Sequence, residues 1–217
     1  MSGKSLLRAA VLGGLALSGL AATSALACKG QTTLLRDDFT DEDPAWDLAN
    51  SPGASVADGA MKVTSDPGHG QPILYAGQMF PAADVCVDMI APPAQGKAVL
   101  SGGISFWNGR GLVDVMISSD GTASVAVNQN GVWAHPVPSR KADTVKTAPG
   151  AVNNLRVVWK GPPDDGGTQA PDPSVQIFIN GKPFVKFKMT PNANRQIGFY
   201  VESEGGTYLF KNLNVTQ

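Results

Sequence analysis

Basic runs, long apolar stretches and metal-binding residue types are all scarce in this 217-residue chain. Lys and Arg form no cluster or run, which makes nucleic acid and anionic membrane poor partners. The two histidines, His69 and His135, have neither an H-x-x-x-H partner nor cysteine neighbours, so a zinc site is not expected. Glutamate occurs three times, at Glu42, Glu202 and Glu204, which is little for a helical protein. There is no phosphate-binding loop, no dinucleotide fingerprint and no G-x-S-x-G nucleophile elbow.

The N-terminus reads as a signal rather than as fold. Lys4 and Arg8 precede an apolar run from Ala9 to Ala22, and Ala25-Leu26-Ala27 offers an A-x-A cleavage site. This is the pattern of a secretory signal peptide over residues 1–27, too short for a membrane anchor. Removing 27 of 217 residues leaves 190, an ordinary size for one β-sandwich domain, residues 28–217. No later apolar run approaches a membrane span. Without Lys4 and Arg8 the chain carries 15 basic against 18 acidic residues, a net charge near −3.

Two cysteines remain, Cys28 and Cys86. In an exported protein an even count is most simply one disulfide. The competing reading lipidates Cys28 after cleavage. It fits poorly, because the residue three before the cysteine is Ala25 rather than Leu and Cys86 would be stranded.

What the chain does have is glycine, proline and alternation: 25 Gly, 16 Pro and many short runs of period two. Thr33–Arg36 reads as a strand. An acidic segment follows with Asp37, Asp38, Asp41, Asp43 and Asp47, either a solvated loop or a calcium site, although the spacing is not that of an EF-hand. Ser55–Thr64 is a hairpin turning at Asp58-Gly59, and Ile73–Phe80 and Ala83–Ile90 are two further strands. Strands flank Asn108-Gly109-Arg110-Gly111. Thr122–Val127 and Val132–Val137 are joined by Asn130-Gly131, and Leu155–Trp159 follows. Pro162–Pro173 is an exposed loop. Val175–Ile179 and the run to Met189 turn at Asn180-Gly181. In the closing stretch Arg195–Val215, Ile197, Phe199 and Val201 alternate up to Gly205-Gly206, and Tyr208 and Phe210 begin a second run. The two runs are expected to form a hairpin. The apolar parity then slips to Leu213 and Val215, which predicts a bulge near Lys211-Asn212. The total is about thirteen strands in an all-β sandwich, with no internal repeat.

The run GGISFW at 102–107, the N-x-L-R-V-x-x-K-G pattern ending at Gly161, V-x-x-F-I-N-G at 175–181 and the closing stretch together resemble the concanavalin A-like jelly rolls. That superfamily includes lectins, laminin G-like modules, laminarinase-type glucanases and 3-keto-disaccharide hydrolase-type domains. The resemblance implies two antiparallel sheets, a glycan ligand, a bacterial, periplasmic or secreted setting, and, because an early Asp-Phe followed by a Trp is common in such jelly rolls, Phe39 and Trp46 as a plug at one end of the sandwich. Its glucanases carry an E-x-D-x-x-E strand. Here the nearest runs, Asp84–Asp88 and Leu112–Val115, contain no Glu, which argues against that catalysis.

Strand parity marks one further constellation. If Ile104, Phe106, Val113, Val115, Ile197, Phe199 and Val201 face the core, then Trp107, Asp114, Tyr200 and Glu202 face away from it. Were their strands neighbours, an aromatic platform would stand beside carboxylates on a concave face, with Trp133 and His135 at its rim. Aromatic faces pack on the C–H face of a pyranose, and carboxylates accept its hydroxyls. The expected function is glycan binding without catalysis and without a cofactor. Alternatives are a 3-keto-disaccharide-type glycoside hydrolase using Asp114 and Glu202, or a periplasmic module for a protein partner. Plain packing of Trp107 and Tyr200, with solvated carboxylates, is the rival to any site.

Overall fold

The computed structural model describes residues 28–93, 98–107, 111–160, 174–188, 195–202 and 206–217. The signal segment, Asn108–Arg110, the Pro162–Pro173 loop and Met189 lie outside the described residues. Fourteen strands are present among the described residues, where about thirteen were expected. The first five are β1 (Thr33–Asp37), β2 (Ala54–Val56), β3 (Met61–Thr64), β4 (Gly70–Leu74) and β5 (Ala83–Ile90). Then come β6 (Ser101–Trp107), β7 (Gly111–Ser118), β8 (Thr122–Gln129), β9 (Val132–Lys141) and β10 (Val152–Lys160). The last four are β11 (Ser174–Ile179), β12 (Lys182–Lys188), β13 (Gln196–Glu202) and β14 (Thr207–Thr216).

They form two antiparallel sheets. The eight-stranded sheet runs β12-β11-β10-β5-β14-β3-β2, with β1 also on β14, and the six-stranded sheet runs β4-β13-β6-β7-β8-β9. Three hairpins turn where Asx-Gly pairs predict. Asp58-Gly59, Asn130-Gly131 and Asn180-Gly181 all have both residues at positive φ, the geometry whose twist matches paired strands.

Two expectations are corrected. The strand expected over Ile73–Phe80 begins and ends earlier, at Gly70–Leu74, and Phe80 makes only an isolated bridge to Arg195. The closing stretch is not a hairpin. β13 pairs with β4 and β6, whereas β14 pairs with β5, β3 and β1, so the chain crosses from one sheet to the other. Alternation specifies which face of a strand is buried, and either partner arrangement satisfies it. The expected bulge is there: the β14–β5 register shifts between Lys211 and Asn214, with Asn212 at φ 54°.

Because β13 and β14 come from opposite sheets, their apolar faces meet. Phe199 stacks on Phe210 at 4.1 Å between centroids, and on its other side Trp46 stacks on Phe199 at 5.2 Å. Phe39 and Trp46 plug this end, as expected, and both are buried. The acidic segment holds the plug. Asp37 accepts hydrogen bonds from Phe39 N and Trp46 Nε1, and Asp43 accepts from Ala45 N and the Tyr75 hydroxyl. The segment weighed for calcium thus uses these carboxylates as turn caps.

Cys28 and Cys86 form a disulfide across 58 residues. With the Cys28 sulfur so engaged, a lipidated Cys28 is set aside. Beside the bridge, Arg156 donates twice to Asp84 at 2.7 Å, and Lys29 N donates to the same carboxylate. The chain end pairs with the same region through reciprocal Thr32–Gln217 bonds. Closing a loop of this length is worth about 4 kcal/mol. Cys28→Ser/Cys86→Ser should lose about that much in urea unfolding, with a larger m-value because the uncrosslinked denatured chain expands and exposes more surface.

Candidate functional site

The six-stranded sheet turns one face to the core and the other outward, and its register fixes what lies outside. One row of cross-strand partners reads Gln196, Trp107, Leu112, Asn128 and Trp133, from β13 to β9. The next outward row reads Leu74, Gly198, Ser105, Asp114 and Ala126. A third holds Pro72, Tyr200, Gly103, Met116 and Ser124, and a fourth holds Gly70, Glu202, Ser101 and Ser118. Strands β13, β6 and β7 are neighbours, so Trp107, Asp114, Tyr200 and Glu202 share one surface.

His135 joins them through an irregularity. On β9, Ala134 pairs with Val127 and Val137 with Val125, so His135 and Pro136 together oppose Ala126. This bulge places His135 at the end of the Asp114 row. A second bulge sets Pro138 and Ser139 against Ser124. Both prolines lie on the sheet's edge strand, where a missing N–H breaks no ladder bond and blunts edge-to-edge pairing.

The four tryptophans divide cleanly. Trp46 and Trp159 are core residues with ring partners and bonded indoles; Trp159 meets Phe106 edge-on and donates to the Pro81 carbonyl at 2.8 Å. Trp107 and Trp133 have no aromatic partner and no indole hydrogen bond among the described residues. Trp107 is half-buried and Trp133 is 46% exposed. They stand in the same row three strands apart, about 14 Å at ordinary strand spacing.

Between the aromatics the floor is low. A Cβ at Gly103 would run into the Val115 carbonyl, and one at Gly198 into that of Ile73, so neither position admits a side chain without movement. Tyr200 lies over Gly70, where a Cβ would collide with its hydroxyl. Burial, together with Glu202 and Asp114, pushes the Tyr200 phenol up to about 12, so it stays a hydrogen-bond donor at all ordinary pH.

Asp114 is the unusual member. It is 0% exposed, accepts a hydrogen bond from the Ser105 hydroxyl on Oδ1, and has no partner for Oδ2. Burial raises its carboxyl to about 7, opposed by the Ser105 bond and assisted by Glu202. The other run weighed for carboxylates, Asp84–Asp88, lies in the opposite sheet. There Asp84 pairs with Arg156, and Asp88 accepts from Asn154 and Asn212.

Sequence reasoning passed over Ser105 as a partner and over Gln196 and Asn128 as row members. Their parity was readable, but their place beside Asp114 and the tryptophans depends on register. A separate cavity of ≈ 220 Å³ opens beside Met89, Pro92, Ile117, Lys146 and Tyr208. It lies toward the far ends of the strands from the tryptophan row. Its Tyr208 hydroxyl donates to Leu100 O and its Lys146 ammonium to Val152 O, so the free polar and aromatic groups are those of the outer face.

The raised Asp114 carboxyl has a consequence for stability. Between about pH 4 and 7 the folded state holds a proton that the unfolded chain has released, so this group's contribution falls as pH rises and is flat above 7. Asp114→Asn should remove that decline, leaving the variant relatively more stable than the parent at pH 8 than at pH 4. Thermal unfolding across pH 4–8 measures it.

No protein-family model matches the sequence, and no curated protein matches it. Solved structures do. The carbohydrate binding module CBM66 from Bacillus subtilis superposes with a TM-score of 0.57 at 13% identity, over 74% of this chain and 88% of that one. A GH16 protein of the Bacteroides ovatus mixed linkage glucan PUL, solved with its G4G4G3G product, gives 0.61 at 13% identity, over 84% and 99%. The Bacillus licheniformis beta-glucanase gives 0.57 at 10% identity, over 86% and 98%. At such identities the likeness speaks to architecture alone, and with the strand order described above it gives this chain the concanavalin A-like jelly-roll sandwich fold.

Proposed function

We propose that the protein is an exported glycan-binding protein, periplasmic or secreted, that holds an oligosaccharide on the outer face of its six-stranded sheet without cleaving it. The observation that carries this reading is the row containing Trp107 and Trp133. Two indoles that no other ring among the described residues covers stand on one surface with Asn128 and Gln196 between and beside them. Apolar ring faces with interleaved amides suit a ligand whose C–H faces stack and whose hydroxyls hydrogen-bond. Carbohydrate-binding and glycoside hydrolase neighbours support a sugar ligand. Among the described residues no helix is long and apolar enough to cross a membrane.

Hydrolysis is the second reading, favoured by the raised carboxyl of Asp114 beside an aromatic surface. Its weakness is spacing. Glu202 and Asp114 stand two strands and four residues apart in register. On a regular sheet that sets their Cα atoms roughly 16 Å apart. A retaining pair needs its carboxyl groups about 5 Å apart.

The test is a panel of mixed-linkage glucan, laminarin and xylan oligosaccharides, with tryptophan fluorescence for binding and product analysis for cleavage. The expected result is a saturable shift without products. Trp107→Ala should weaken binding roughly tenfold with an unchanged Tm, and Trp133→Ala should act in the same direction. Products abolished by Glu202→Gln would establish the hydrolase instead. Silence in both channels would leave a protein-interaction module.

A further inference from the structure

Among the described carboxylates Asp114 alone is wholly without exposure. Asp84 has a guanidinium, Asp88 has two amides, and Asp37, Asp38 and Asp43 cap turns. Asp114 has a single hydroxyl, from Ser105, and its second oxygen is buried with no hydrogen-bond partner among the described residues. A buried polar atom without a partner is costly, and native structures tolerate few. Replacing Asp114 by an apolar residue would avoid the cost, so its place at the middle of the outer face calls for a partner from outside the chain.

The surroundings restrict what that partner is. On the outer face Asp114 is flanked by Leu112 and Met116 along its own strand and by Ser105 and Ala126 across it. The titratable groups on this face are Glu202 and Tyr200 from β13 and His135 from the β9 bulge, with Lys141 opposite Thr122 at the margin. The Lys141 ammonium is held on the Asp120 carbonyl. No cation described here compensates Asp114 when it ionises, and Glu202 opposes ionisation. On the glycan reading the compensation comes from neutral donors, the sugar hydroxyls. Met116, unbranched and flexible, is the neighbour best able to swing aside for them.

Resting on the glycan reading, we propose that Asp114 couples binding to the proton: the outer face holds an oligosaccharide tightly when Asp114 is ionised, with ligand hydroxyls donating to its unpartnered Oδ2. Binding then releases a proton from Asp114 to solvent. Where only the ionised form is competent, the apparent affinity scales with its fraction, which rises about tenfold between pH 6 and 8 for a midpoint near 7.

Calorimetry with the panel oligosaccharides at pH 6, 7 and 8, in buffers of different ionisation enthalpy, tests this. The expected result is an affinity about tenfold higher at pH 8 than at pH 6, with close to one proton released per ligand at pH 6. Asp114→Asn, which imitates the neutral acid, should remain at the low-pH affinity throughout, and the slope should survive in His135→Gln. A carbon-13 NMR titration of the Asp114 carboxyl without ligand should show a midpoint near neutrality, moved upward in Ser105→Ala because that hydroxyl favours the ionised form. Binding with no pH dependence, a slope that survives Asp114→Asn, or a carboxyl midpoint near 4 would overturn the proposal and leave the glycan reading standing. A parent protein that binds no panel sugar at any pH would defeat the glycan reading and this proposal with it.

Discussion

The stacked contact between Phe199 and Phe210 holds the architecture together. These residues sit on consecutive strands, yet the strands belong to different sheets, so the contact clamps one sheet to the other at the last crossover of the chain. Trp46 extends the stack on the other side of Phe199, and Tyr75 meets Trp46 edge-on. The early acidic segment is thereby tied to the end of the chain, with Asp37 and Asp43 supplying the polar ends of the aromatic column. A sandwich core is dominated by such interdigitated inner faces, and each aromatic placed there buries 150–250 Å² or so of surface.

The inner faces determine the outer ones. Once Ile104, Phe106, Val113, Val115, Ile197, Phe199 and Val201 are committed to the core, strand geometry leaves no choice for the residues between them. Trp107, Asp114, Tyr200 and Glu202 face outward for that reason. What they form together depends on which strands pair and in which register. The order β13-β6-β7-β8-β9 lines up Trp107 with Trp133 and Ser105 with Asp114. The bulges on β9 then bring His135 into the same field, because an extra residue on the edge strand re-aims the side chains beside it.

The opposite face of the molecule is chemically quieter. Around β5 the disulfide, the Arg156–Asp84 pair and the amides on Asp88 satisfy one another and fasten both ends of the chain. Its carboxylates are matched, whereas among the described residues the six-stranded sheet keeps one buried carboxylate oxygen unpartnered and two indoles without a ring partner. That asymmetry directs attention to a single face.

Much of this was determined by the sequence alone. Period-two alternation located most strands, the Asx-Gly pairs located three hairpins because those turns require positive φ at two successive residues, and the parity slip after Phe210 located the β14 bulge. Two cysteines, an even count in a chain whose start reads as a secretory signal, pointed to the disulfide. The tertiary structure decided the rest: that β13 and β14 cross between sheets, that the strand near Ile73 ends at Leu74, that Ser105 is the partner of Asp114, and that two of four tryptophans are left uncovered. Alternation is a local property of each strand and survives any choice of neighbour. Partner, register and burial arise between strands distant in sequence, and only packing selects among them.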